Sequence, residues 1–296
     1  MAFAVFAQAD ELVPRPDYGI LLLAHGGAPE WNAQVSAIAE SLDAKVPTAV
    51  SLGMADAEAM QQGVAALEKR RCRKIVVVPL FINSSSEVMQ QTRYALGIDE
   101  KPSEVMRLAL EHAGHAHGGH HAMFSLKRVK SRTPLAITPA LDDHPIVAEV
   151  LYERAKGLSR SASGETVVLV GHGPVDDDSN KVWLRTIRSL AESIKERGRF
   201  KAVVGVTLRD DAPKSVRDAA VAALRDTVSR AAIDSKVIVV PYLIARGGIE
   251  EKVAAALKGL SYAWDGKTIC PHPKIVQWVA QTAAAGAKLE DMRRFQ

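Results

Sequence analysis

Cysteine is scarce in this chain, with two in 296 residues, Cys72 and Cys270. They stand far apart and form no C-x-x-C pair, which argues against a disulfide framework and against a structural zinc site. Aromatic residues make up 5% of the chain. No basic stripe is interleaved with them, so nucleic acid is not an expected partner. No uninterrupted apolar run approaches the length needed to span a bilayer, which removes a membrane-embedded reading. Charge is not one-sided either. Lys and Arg number 38 against 34 Asp and Glu, a formal net charge of +4. That mild excess suits an anionic small molecule and discriminates little by itself.

What is present is a repetition. Tyr18–His25 reads Y-G-I-L-L-L-A-H and is followed by Gly26-Gly27; Glu165–His172 reads E-T-V-V-L-V-G-H and is followed by Gly173-Pro174. Later in each half comes a second apolar run, Lys74–Phe81 (K-I-V-V-V-P-L-F) and Lys236–Leu243 (K-V-I-V-V-P-Y-L). Leu52–Ala57 is matched by Leu208–Pro213, and Asp143-His144-Pro145 by Cys270-Pro271-His272-Pro273. Matched landmarks in the same order make a duplication the economical explanation. The repeats occupy 18–158 and 165–285, joined by a linker-like S-R-S-A-S-G stretch at Ser159–Gly164, with a leader at 1–17 and a tail at 286–296.

Short apolar, β-branched runs alternate with amphipathic helix patterns, which predicts βα units and parallel sheets covered on both faces. The predicted strands are Gly19–Ala24, Ala49–Gly53, Ile75–Leu80 and Leu135–Thr138, then Thr166–Val170, Ala202–Leu208, Val237–Leu243 and Thr268–Cys270. The predicted helices are Trp31–Leu42, Ala57–Arg70, His144–Lys156, Ser179–Glu196, Lys214–Arg230 and Pro273–Ala284. The expected fold is therefore α/β, with two homologous doubly wound parallel-sheet domains and a cleft between them. One stretch breaks the pattern: 110–132, with His112, His115, His117, His120, His121 and a basic run, reads as an exposed insertion. It could gather metal or have only incidental affinity. The Ala2–Ala9 stretch lacks a basic n-region, so the expected setting is cytoplasmic, with export as the alternative.

A histidine at the C-terminal end of a parallel strand stands where open α/β sheets bind ligands. His25 and His172 share that position and the adjacent glycine, and neutral imidazole can take a proton or a divalent metal near pH 7. After Pro79 comes a Ser-rich loop, Ser84-Ser85-Ser86, then Glu87, an acid/base or hard-ligand candidate or simply a helix N-terminal carboxylate. The matching position in the second half is Ile249 or Glu250. Asp176-Asp177-Asp178 reads as a metal-binding run or a solvated helix start, and His144 and His272 as local structural residues.

These motifs resemble the class II tetrapyrrole chelatases, the sirohydrochlorin cobalto- and ferrochelatase group. The resemblance covers both halves, through L-L-L-A-H-G-G and V-L-V-G-H-G, V-V-V-P-L-F and V-V-P-Y-L, and the helices that begin at His-Pro. It implies a lyase that inserts a divalent metal into a tetrapyrrole without ATP, in a cleft between two facing domains. The metal, Co²⁺ or Fe²⁺ with Ni²⁺ as a further option, is then a substrate, and no prosthetic group is expected. The resemblance puts the first ligand on His25 and the second on Glu87, where histidine is the more familiar residue; His172 would complete the site as a further catalytic or metal-binding group. Arg93, Arg246, Ser84 and Ser85 are the candidates for holding the macrocycle. The expected partners are a tetrapyrrole and a metal, and the fused halves suggest a functional monomer, with further dimerisation left open. Two rival readings stand beside this one: a metal or tetrapyrrole delivery protein on a degenerate chelatase fold, and a two-lobed solute receptor.

Overall fold

Seven parallel strands form two sheets in the computed structural model, which describes residues 16–103, 106–107 and 126–295. The first sheet contains β1 (Tyr18–Ala24), β2 (Thr48–Leu52), β3 (Lys74–Pro79) and β4 (Leu135–Ile137), in the order β2-β1-β3-β4. The second contains β5 (Glu165–Gly171), β6 (Ala202–Thr207) and β7 (Lys236–Tyr242), in the order β6-β5-β7. Leu22 pairs with Val50 and Val78, and Val168 pairs with Val204 and Val239. The helices are α1 (Pro29–Asp43), α2 (Ala57–Lys69), α3 (Glu87–Ala95), α4 (Pro145–Leu158), α5 (Asp177–Gly198), α6 (Lys214–Ala231), α7 (Ile249–Ala256) and α8 (Pro273–Gly286). The leader residues 1–15 and the His112–His121 tract lie outside the described residues.

Alternation along the central strands sorts side chains into separate cores. Ile20 and Leu22 of β1, with Val167 and Leu169 of β5, enter one continuous apolar cluster shared by both halves and containing Trp278. Leu21 and Leu23 face a second cluster under α2, and Val168 and Val170 a third that includes Leu224 and Val228 of α6. The shared core exists because the last helix of each repeat crosses over. Helix α4 packs on β7 and α5, whereas α8 packs on β3 and α1. Charged groups fasten the exchange. Arg154 of α4 donates to the carbonyls of Thr268 (2.9 Å), Ile269 (3.3 Å) and Pro271 (2.8 Å). Lys274 pairs with Glu149 at 2.6 Å, and His272 lies 3.0 Å from Glu153.

Two expectations change in detail. Thr268–Cys270 is not a strand, because it lies beyond the end of β7: the Ile269 and Cys270 N–H groups bond to the carbonyls of Leu243 and Ile244, past Tyr242. Pro271 then offers no N–H with which to continue a ladder. Ala263 occupies the edge instead, bridging to β7 through bonds with Val237 (2.7 Å) and Val239 (3.0 Å). Second, the ladders pair Ala24 with Leu52 and Gly171 with Thr207, so Leu52 corresponds to Thr207 and not to Leu208. The short helices α3 and α7 add to the expected set, α3 beginning at Glu87 as a helix N-terminal carboxylate would. The segment after α8 lies along the edge of β4, where Met292 N–H bonds to the Leu135 carbonyl at 2.9 Å. No helix among the described residues is long and apolar enough to cross a membrane.

Candidate functional site

In each sheet the chain reverses its direction of winding beside the first strand, between β1 and β3 and between β5 and β7. Such switch points open a crevice at the C-terminal strand ends. His25 and His172 stand there, directly after β1 and β5. The glycine that follows each has φ +77°, a left-handed turn that carries the chain sharply away from the strand. Gly173 also has no room for a side chain, since an added Cβ would come within 2.6 Å of Thr207 Cβ.

His25 is exposed, and its Nδ1 lies 2.7 Å from the Gly26 carbonyl. A proton on Nδ1 in that bond leaves Nε2 with a free lone pair. His172 is more enclosed, and its Nε2 lies 3.3 Å from Asp211 Oδ2. Burial pushes the His172 pKa below its ordinary value, against the opposing pull of Asp211 and then Asp210. Lys252 and His25 add further downward effects, so the two histidines are close enough to interact electrostatically. Neutral His172 is therefore favoured, which is the form that binds metal.

The ligand atoms of His172, Asp210 and Asp211 all lie within 4.8 Å of one another. Asp210 is also paired with Lys252. These aspartates follow β6, and the connection from β6 to α6 is two residues longer than that from β2 to α2. In the shorter connection Asp56, the counterpart of Asp211, is committed to capping α2 through the N–H groups of Glu58 and Ala59. In the sequence Asp210 and Asp211 stand out only as repeat landmarks. Their place immediately beyond a strand end was the signal available.

Glu87 begins α3 and accepts a 2.8 Å hydrogen bond from Ser103 Oγ rather than bonding to His25. Ser86 and Gly248 occupy the same N-cap position before α3 and α7, so the counterpart of Glu87 is Ile249. Ser84 is tied to Asp142 through its N–H (2.8 Å) and Oγ (2.5 Å), while Ser85 Oγ bonds to Asn83 at 2.5 Å. Asn83 also reaches across to Thr186 of α5 at 3.2 Å. Asn83, Ser84, Ser85, Asp142, Arg185 and Thr186 line a recess of about 380 Å³ that spans the two halves.

Arg93 is engaged in a bidentate pair with Asp99, both bonds 2.8 Å. Arg246 stands on the loop after β7, its Nε 3.3 Å from Glu250. Of the aspartate run, Asp176 caps α5, Asp177 pairs with Arg209 and Asp178 with Lys181. His144 and His272 cap α4 and α8.

The backbone matches known proteins along most of its length. SirB from Bacillus subtilis with Fe3+ superposes with a TM-score of 0.61 at 20% identity, over 93% of this chain and 99% of that one. The sirohydrochlorin chelatase SirB from Bacillus subtilis subspecies spizizenii, in complex with cobalt, gives 0.57 at 17% identity, over 92% and 95%. CbiX, described as the terminal enzyme for biosynthesis of siroheme in denitrifying bacteria, gives 0.53 at 17% identity, over 90% and 98%. No curated protein matches the sequence. The fold is the one these chelatases share. The family model CbiX matches residues 19–158, within the first half of the chain.

Proposed function

We propose that this protein is a metal chelatase, a lyase that inserts Co²⁺ or Fe²⁺ into sirohydrochlorin or a related acidic tetrapyrrole without ATP. The observation that carries the reading is the cluster of His172, Asp210 and Asp211, with His25 close enough to act on His172 electrostatically. Insertion into a planar macrocycle requires a partly dehydrated cation on one face. It also requires removal of two pyrrole N–H protons, which is easiest from the opposite face. The second half supplies the first requirement. One imidazole and two carboxylates suit a borderline divalent ion, and the carboxylates offset its charge. The first half supplies the second requirement. His25 Nε2 accepts a proton, and Glu87 on the neighbouring strand end assists as base or ligand.

The substrate class is supported by the sirohydrochlorin chelatase and siroheme-biosynthesis relatives, and SirB structures with iron and with cobalt support either metal. The reading carries a cytoplasmic setting and a working monomer of two fused halves. Free, buried Cys72 and Cys270 suit a reducing compartment. Co²⁺ titration separates the two roles. His172→Ala should lose tight Co²⁺ binding, whereas His25→Ala should retain binding and lose turnover. If both variants keep wild-type turnover, the proposal is wrong. One observation favours a second reading, a delivery protein: Glu87 is bonded to Ser103 and not to His25. Spectral change that stops at one equivalent of tetrapyrrole would favour that reading.

A further inference from the structure

The loops after β3 and β7 are built alike but carry opposite charge. Leu141 N–H bonds to the Phe81 carbonyl and Ile269 N–H to that of Leu243, which fixes the correspondence residue by residue. Counted from there, Ser84 corresponds to Arg246, Ser86 to Gly248 and Glu87 to Ile249. The outward carboxylate of the first half is thus replaced by an apolar residue, and a guanidinium appears three positions earlier. The nearest carboxylate, Glu250, turns inward and is only 4% exposed. It accepts from the N–H groups of Gly247 and Gly248, both at 3.2 Å, and from Arg246 Nε at 3.3 Å. A carboxylate this buried is retained only when such donors satisfy it. Since Gly248 has no side chain with which to cap α7, Glu250 supplies that function from within the helix.

The same contacts orient Arg246. One edge of its guanidinium is held through Nε, while the side chain remains 63% exposed. Its Nη groups make no hydrogen bond among the described residues. The loop stands at the mouth of the crevice: a Cβ on Gly247 would lie 3.7 Å from Trp31, in the first turn of the helix after His25. A planar fork held at one edge and open at the other is suited to bidentate binding of a carboxylate. Holding it in advance lowers the entropy lost on binding.

We propose that Arg246 binds a peripheral carboxylate of the macrocycle and that Glu250 is its positioning residue, an inference that rests on the chelatase reading for the substrate class. The loop of the second half thereby recognises the acidic rim of the ring, and that of the first half keeps its carboxylate for the centre.

The test compares wild type with Arg246→Ala, Arg246→Lys, Glu250→Gln and the Arg246→Ala/Glu250→Gln pair. Two assays are read: anaerobic turnover of sirohydrochlorin with Co²⁺, and fluorescence titration of metal-free uroporphyrin, a stable octacarboxylate. Arg246→Ala and Glu250→Gln should each raise KM and the uroporphyrin Kd by about tenfold, the loss of one charge-assisted bidentate contact. Co²⁺ affinity and kcat should stay near wild type. The pair should be no worse than Arg246→Ala, and Arg246→Lys should recover part of the loss. Unchanged KM and Kd in Arg246→Ala, which leaves Glu250 its two backbone donors, would overturn the inference. So would a fall in kcat or Co²⁺ affinity with KM unchanged in Glu250→Gln. A wild type that binds uroporphyrin through Arg246 but has no turnover contradicts the chelatase reading and leaves the inference standing; a wild type that binds neither tetrapyrrole overturns both.

Discussion

His172 Nε2 and Asp211 Oδ2 stand 3.3 Å apart at the C-terminal edge of the second sheet. The pair exists because β5 delivers the histidine while two extra residues after β6 release an aspartate from helix capping. Asp210 joins them from the preceding position, giving a mixed imidazole and carboxylate set. Asp211→Asn should weaken Co²⁺ binding by about 10- to 100-fold, the usual cost of removing a ligand's charged partner. Isothermal titration calorimetry measures this, and an unchanged affinity would remove Asp211 from the metal set.

Protonation of His172 competes with metal. Burial holds its pKa below the ordinary 6.5, so metal binding should persist as pH falls past that value and weaken only lower. Lys252 contributes to the depression. Lys252→Ala should therefore raise the His172 pKa and move the acid limb of Co²⁺ binding to higher pH. The sign for metal-free stability is the same: the unfolded chain protonates this imidazole first, so stability drops as pH falls through 6.5 towards the folded pKa. A limb that moves to lower pH in Lys252→Ala would contradict this assignment.

The exchange of terminal helices has a mechanical consequence. Arg154 connects α4 to three carbonyls between Thr268 and Pro271, so it joins the end of the first repeat to the last loop of the second. Arg154→Ala leaves those carbonyls without their charged donor, at a cost of about 2–4 kcal/mol. Urea denaturation reads the loss. A variant as stable as wild type would mean that apolar packing and the Lys274–Glu149 and His272–Glu153 contacts hold the halves together without Arg154.

Asp291 secures the segment after α8. It accepts from Arg293 and from Leu135 N–H, and these contacts hold its pKa down to about 2 from the ordinary 3.8. Its contribution is complete above 3.8 and is lost as pH falls through about 2. Hydrogen exchange at Leu135 and Met292 should rise over that window in wild type. In Asp291→Asn exchange should be fast at every pH, and identical profiles would refute the anchoring role.

The repeated strand-plus-histidine pattern was legible because a buried parallel strand writes a dense apolar run, and its end is marked by the glycine at φ +77°. His25 and His172 could thus be singled out without coordinates. Asp210 and Asp211 carry only the weaker signal of standing just beyond a strand end, and a pair of aspartates there is as easily a helix start as a ligand set. The difference lies in the length of the connection after β6. The crossing of α4 and α8 was equally hidden: their apolar faces are the same whichever sheet they cover. Arg93 and Arg246 look alike in sequence, and only their neighbours, Asp99 on both Nε and Nη2 of one fork and Glu250 on a single nitrogen of the other, separate them.

The most direct test of metal insertion is an anaerobic absorbance time course of sirohydrochlorin with Co²⁺ for wild type, His25→Ala and His172→Ala, with Co²⁺ affinity measured on the same samples. The expected result is saturable, multiple-turnover insertion by wild type, lost in both variants, with Co²⁺ binding lost only in His172→Ala. Insertion no faster than the spontaneous rate in wild type, or undiminished turnover in both variants, would contradict a chelatase working between these two strand ends.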